Sequence, residues 1–100
     1  MLIVAGRVPV RPDRRAEAVA AALKMAAATQ AEPGCKSYRF YSDLADPNTF
    51  FIFEEWENEA ALTAHFQTPH MAEFNAAIPA MVAGPPSIDR YEVSGVVKMM

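Results

Sequence analysis

Phe50-Phe51-Ile52-Phe53-Glu54-Glu55-Trp56 is the stretch on which the fold turns. In a strand, neighbouring side chains point to opposite faces, so Phe50, Ile52, Glu54 and Trp56 share one face while Phe51, Phe53 and Glu55 share the other. Both faces are apolar and both call for cover. A chain of 100 residues can supply one layer of helices, so the second cover is expected to be another copy of the same chain.

Working outward, Cys35–Ser42 alternates as a strand, and the turn-rich Asp43–Asn48 joins it to the aromatic strand as a hairpin. Upstream, Leu2–Val10 alternates as a first strand in which Pro9 favours an edge or an end. Pro12 suits a first helical turn. Ala16, Val19, Ala20, Leu23, Ala26, Ala27 and Gln30 then fall at helical spacing, predicting a long alanine-rich helix with a narrow apolar stripe. Glu32-Pro33-Gly34 stops it.

Downstream, Asn58 caps a short helix whose apolar stripe is Ala61, Leu62, His65 and Phe66. Thr68-Pro69 repeats the cap-then-proline pattern, so the helix breaks and restarts with Met71, Phe74, Ile78 and Met81 on one face. Ile88–Val97 is the expected last strand. The order strand, helix, strand, strand, broken helix, strand predicts an α+β fold over residues 1–100. It is a ferredoxin-like four-stranded antiparallel sheet with helices on one face.

Composition narrows the function. The chain is 52% apolar, 10% aromatic and 21% charged, which is globular, and its net charge of −3 with scattered basic residues excludes a nucleic-acid footprint. Nothing approaches a membrane span and Met1–Ala5 is not a leader, so a cytoplasmic protein without membrane association is expected. The single Cys35 has no partner for a disulfide and is expected as a small buried side chain. The isolated glycines form no phosphate loop.

Glu32-Pro33-Gly34-Cys35, Tyr38-Arg39-Phe40-Tyr41, Asp46-Pro47, the run ending Glu55-Trp56, and His65-Phe66-Gln67-Thr68-Pro69-His70 together resemble the antibiotic biosynthesis monooxygenase domain, a group that includes small quinol monooxygenases. The likeness runs from Ile3 to about Val93. It implies a homodimeric α+β barrel in which two sheets pack face to face. It also implies oxygenation of a small hydroxylated aromatic, a quinol or anthrone, by molecular oxygen with no cofactor. Such chemistry needs a dry aromatic cleft, a proton acceptor and a donor for the developing oxyanion.

Each candidate for those parts carries a plainer structural reading. His65, on an apolar stripe, is the candidate catalytic base, or else a core histidine satisfied by a carbonyl. Trp56, Tyr38, Phe66, Met71, Phe74 and Asn75 are the candidate substrate-binding residues; core or interface packing is the alternative for Trp56 and Tyr38, and a helix-surface amide the alternative for Asn75. His70 reads as a surface or helix-start residue. Glu54, Glu55, Glu57 and Glu59 read as a solvated strand end and helix start. Arg39 and Arg90 reach either the pocket or rim ion pairs. Two histidines five residues apart across a helix break show no third ligand, so no metal site is expected. A haem-degrading relative of the family uses an asparagine, a tryptophan and a histidine. Trp56 matches the tryptophan, but Asn75 stands where the histidine would, which argues against haem. A non-enzymatic small-molecule-binding module and an isomerase of a small oxygenated metabolite remain alternative functions on the same fold.

Overall fold

The aromatic strand alternates in burial along its whole length, with Phe50, Ile52, Glu54 and Trp56 buried and Phe51, Phe53 and Glu55 half-buried. The computed structural model describes residues 1–100. Its elements in order are β1 (Leu2–Pro9), a 3₁₀ turn (Pro12–Arg14), α1 (Arg15–Gln30), β2 (Cys35–Ser42), β3 (Thr49–Trp56), α2 (Glu59–His65), α3 (Pro69–Ala77), a second 3₁₀ turn (Ile78–Ala80) and β4 (Ser87–Glu92). The strands form one antiparallel sheet in the order β2-β3-β1-β4. This is the expected ferredoxin-like α+β arrangement with helices on one face. No helix is long and apolar enough to cross a membrane.

Register fixes which side chains meet. Gly6 of β1 faces Ile52 of β3 on one side and Ile88 of β4 on the other. A side chain at Gly6 would run into the Ser87 carbonyl oxygen and the Ile88 Cα, so glycine is what lets β4 approach β1 this closely. The helix-side face buries two apolar clusters. One holds Leu2, Met25, Ala26, Tyr38, Ile52, Trp56 and Leu62, and the other Val8, Val10, Ala18, Phe50 and Met81. Each fully buried large side chain contributes roughly 1.5–3 kcal/mol of hydrophobic stabilisation.

Three expectations are corrected. The buried face of α1 is Ala18, Ala22, Met25, Ala26 and Thr29, and Leu23 of the expected stripe is 67% exposed. Alanine occupies so many positions of this helix that periodicity alone does not choose a face; Met25 does. Strand β4 ends at Glu92, and Val96 and Val97 lie exposed beyond it. Phe66 closes α2 and turns outward at 55% exposure, leaving the buried stripe to Leu62 and His65.

The caps follow the sequence. The Asn58 side chain accepts from the Ala61 N–H at 2.9 Å, and the Thr68 hydroxyl accepts from the Met71 N–H at 3.2 Å. Thr68 also donates to the His65 carbonyl at 2.8 Å, so one hydroxyl fixes the corner between α2 and α3. Gly34 takes φ 81°, the left-handed conformation that lets Glu32-Pro33-Gly34 reverse the chain between α1 and β2.

Candidate functional site

Between the sheet and α3 lies a cavity of about 170 Å³. Its floor is Val8, Tyr38, Phe40, Ile52 and Glu54, its roof Met71, Phe74, Asn75 and Ile78, and Pro86 and Ile88 close one end. The floor residues lie on the helix-side face because each holds the same parity along its strand. The roof follows from α3 and the 3₁₀ turn that continues it, where Met71, Phe74 and Asn75 of the helix and Ile78 of the turn recur at three- and four-residue spacing. Phe40 and Phe74 meet across the cavity with ring centroids 5.9 Å apart.

The one carboxylate in this lining is Glu54, which is 7% exposed. The Trp56 Nε1–H donates to its Oε1 at 2.9 Å. Burial raises the Glu54 pKa to about 7; the tryptophan hydrogen bond pulls the other way, and the charge of Glu32 adds to the rise. Glu54 is therefore corrected from a solvated strand end to a buried acid that titrates near neutrality. Its parity with Phe50, Ile52 and Trp56 was the signal available in the sequence. Burial also raises the Tyr38 phenol well above the usual tyrosine range, so it stays protonated as a donor.

Of the residues expected at the site, Tyr38, Met71, Phe74 and Asn75 meet in this cavity, whereas His65, Trp56 and Phe66 lie outside its lining. Trp56 is fully buried behind Glu54, and His65, 1% exposed, packs on it with ring centroids 4.8 Å apart. Tyr38 also meets His65, at 5.6 Å.

Behind that aromatic partition is a second polar cluster. Glu32 Oε2 lies 2.8 Å from His65 Nδ1 and 2.6 Å from His70 Nε2. His70 is thus tied inward rather than free at the surface. Glu32 also supplies the third ligand-type group that the histidine pair lacked in sequence, with the three donor atoms within 4.8 Å of one another. Nothing local announced Glu32, because its partners stand 33 and 38 residues away. Arg90 forms rim ion pairs with Glu59 at 3.2 Å and Glu92 at 3.7 Å. Arg39 stands opposite Phe53 on the sheet face away from the helices. Cys35 is half-buried, and burial with the charges of Glu32 and Glu54 raises its thiol pKa to about 11.

Comparison with known proteins agrees with this architecture. The family model described as antibiotic biosynthesis monooxygenase matches residues 1–77. A protein of Synechocystis is 41% identical over 93% of this chain, which spans 63% of that relative's length. The Escherichia coli protein named "Probable quinol monooxygenase YgiN" is 31% identical over 78% of this chain and 85% of its own. Among solved structures, a "putative antibiotic biosynthesis monooxygenase" from Deinococcus radiodurans superimposes with a TM-score of 0.93, covering 100% of this chain and 99% of its own at 28% identity. With a family match over more than half its length and the fold to accompany it, this chain belongs to the antibiotic biosynthesis monooxygenase family.

Proposed function

We propose that the chain is a homodimeric, cofactor-independent monooxygenase that oxidises a small hydroxylated aromatic, of quinol or anthrone type, with molecular oxygen in the cavity under α3. The observation that carries this reading is Glu54, a buried carboxylate titrating near neutrality in an aromatic-lined cavity. Glu54 takes the phenolic proton, and the electron-rich phenolate then gives electrons to oxygen. One oxygen atom enters the ring, the other leaves as water, and all four electrons come from the substrate. Tyr38 and Asn75 are the neutral donors beside the developing oxyanion. His65, the base expected from the sequence, faces Glu32 with its Nδ1 and braces Trp56. In this reading it positions the group that holds Glu54.

Dimerisation belongs to the same reading. On the sheet face away from the helices, Ile3, Ala5, Phe51 and Phe53 are half-buried and Tyr91 is exposed, with no element of the chain packed over them. Covering each large side chain contributes roughly 1.5–3 kcal/mol, enough across a self-complementary face to support an interface above about 2,000 Å². Light scattering is expected to give a dimer for the wild type and its loss for Phe53→Asp. A wild-type monomer persisting at micromolar concentration refutes the assembly.

Oxygen uptake with a reduced naphthoquinol, against an enzyme-free blank and an anaerobic control, tests the chemistry. Enzyme-dependent uptake abolished by Glu54→Gln is the expected result. Turnover that continues without oxygen refutes it in favour of an isomerase, and saturable binding without turnover refutes it in favour of a binding module.

A further inference from the structure

The cluster of Glu32, His65 and His70 lies behind Trp56, outside the cavity lining, and the proposed oxidation makes no direct use of Glu32 or His70. In this cluster two imidazole nitrogens converge on a single carboxylate oxygen, Glu32 Oε2, at 2.8 and 2.6 Å. Without a cation, each of these two contacts needs a proton between its nitrogen and that oxygen. A divalent cation would take the place of both protons and draw on two nitrogen lone pairs and one carboxylate oxygen at once.

We propose that Glu32, His65 and His70 form a binding site for one divalent transition-metal ion of the zinc class, with water completing its coordination. Two imidazoles and one carboxylate suit zinc, cobalt, nickel or ferrous iron, whereas magnesium and calcium take sites built from oxygen ligands. Around an ion with bonds of about 2.1 Å, tetrahedral donors stand about 3.4 Å apart. The three donors already lie within 4.8 Å of one another; holding an ion asks the 2.8 and 2.6 Å pairs to open by about 0.6–0.8 Å and the two imidazole nitrogens to close by up to about 1.4 Å, shifts within reach of side-chain rotation.

The surroundings suit a metal site. Each donor comes from a different segment: Glu32 from the turn after α1, His65 from the end of α2, and His70 from the start of α3. The Thr68 hydroxyl ties the two histidine segments together through its bonds to the His65 carbonyl and the Met71 N–H. The His65 ring is held by its packing on Trp56 and Tyr38, as a ligand's orientation requires. His70 remains 24% exposed and Glu32 11%. Glu32 also borders a surface cleft with Ala64 and Thr68.

The test uses the 100-residue chain stripped with a chelator and titrated with zinc alone by calorimetry, then with cobalt followed by its visible absorption. One saturable site per chain, competition between zinc and cobalt, a raised melting temperature with zinc and no response to magnesium or calcium are expected. His70→Ala and Glu32→Gln are each expected to weaken zinc binding by more than about tenfold, since even outer-shell partners carry that much. His70 is partly exposed, and Glu32→Gln preserves the side-chain shape, so both variants keep the inference testable where a His65 variant unfolds. Absence of saturable zinc binding, or binding that both variants leave unchanged, overturns it. The readout is independent of quinol turnover, so failure of the proposed oxidation and failure of the metal site are separable.

Discussion

Replacing Glu54 with glutamine removes the carboxylate from the cavity while leaving an amide oxygen to accept from Trp56 Nε1. In the folded chain, burial raises the Glu54 pKa from its ordinary 4.5 to about 7. Between those values the unfolded chain has released this proton and the folded chain still holds it. The folded state therefore binds more protons, and stability falls as pH rises through the window. The stabilisation is complete below about 4.5 and gone above about 7, a loss of about 3 kcal/mol. Glutamine does not titrate, so the variant lacks this loss.

Urea denaturation of both proteins, at one protein concentration and at intervals from pH 4.5 to about 8, measures the effect. Groups common to both proteins and distant from Glu54 cancel in the difference, and the charge of Glu32, which adds to the Glu54 rise, is part of the effect measured. The stability of the wild type relative to Glu54→Gln is expected to fall by about 3 kcal/mol across the window, leaving the variant relatively favoured on the alkaline side. Parallel profiles would show that Glu54 is solvated, and the argument from its burial would fail.

Three further outcomes follow from particular contacts. The Thr29 hydroxyl is fully buried without a hydrogen-bond partner, so Thr29→Val is expected to be neutral or to stabilise by about 1 kcal/mol in denaturant melts, and a clear loss would reveal a partner. Gly6→Ala drives a methyl group into the β4 backbone at Ser87 and Ile88 and is expected to cost about 3 kcal/mol, with amide exchange accelerating first along β4; unchanged protection there refutes the close approach. With its pKa raised from 9.0 to about 11, Cys35 has about a hundredfold less thiolate at neutral pH, and since the more basic thiolate is the better nucleophile it is expected to alkylate with iodoacetamide at least about tenfold more slowly than a free cysteine; equal rates by mass spectrometry would contradict that.

Local signals in the sequence reached the frame of the molecule. The two-sided pattern of β3, the Asn58 and Thr68 caps and the Glu32-Pro33-Gly34 stop depend on neighbours a few residues apart, and each lies where the pattern placed it. The face of α1 was not legible, because alanine at half of its positions leaves little contrast between inside and outside. The site was legible to the same extent. Tyr38, Met71, Phe74 and Asn75 meet because strand parity and helix spacing bring them together. Glu54 was hidden by three acidic companions at Glu55, Glu57 and Glu59 that suggested solvent. Glu32 was hidden by chain distance, since its role as a turn residue is local and its contacts with His65 and His70 are tertiary.

The energy that burial costs Glu54 reappears in the chemistry proposed for it. A free phenol has a pKa of about 10, so handing its proton to an ordinary carboxylate at 4.5 is uphill by about 7 kcal/mol. Handing it to Glu54 at about 7 is uphill by about 4 kcal/mol. An enzyme turning over about ten times per second works against a total barrier of about 16 kcal/mol, so the smaller step leaves about 12 for electron transfer to oxygen and the larger about 9. The difference of about 3 kcal/mol raises the phenolate population more than about a hundredfold. It is the same quantity the folded state loses between pH 4.5 and about 7. A buried acid here makes sense as a trade of stability for basicity, and Trp56 sets its extent: its N–H holds the carboxylate in place while limiting how far burial can raise its pKa.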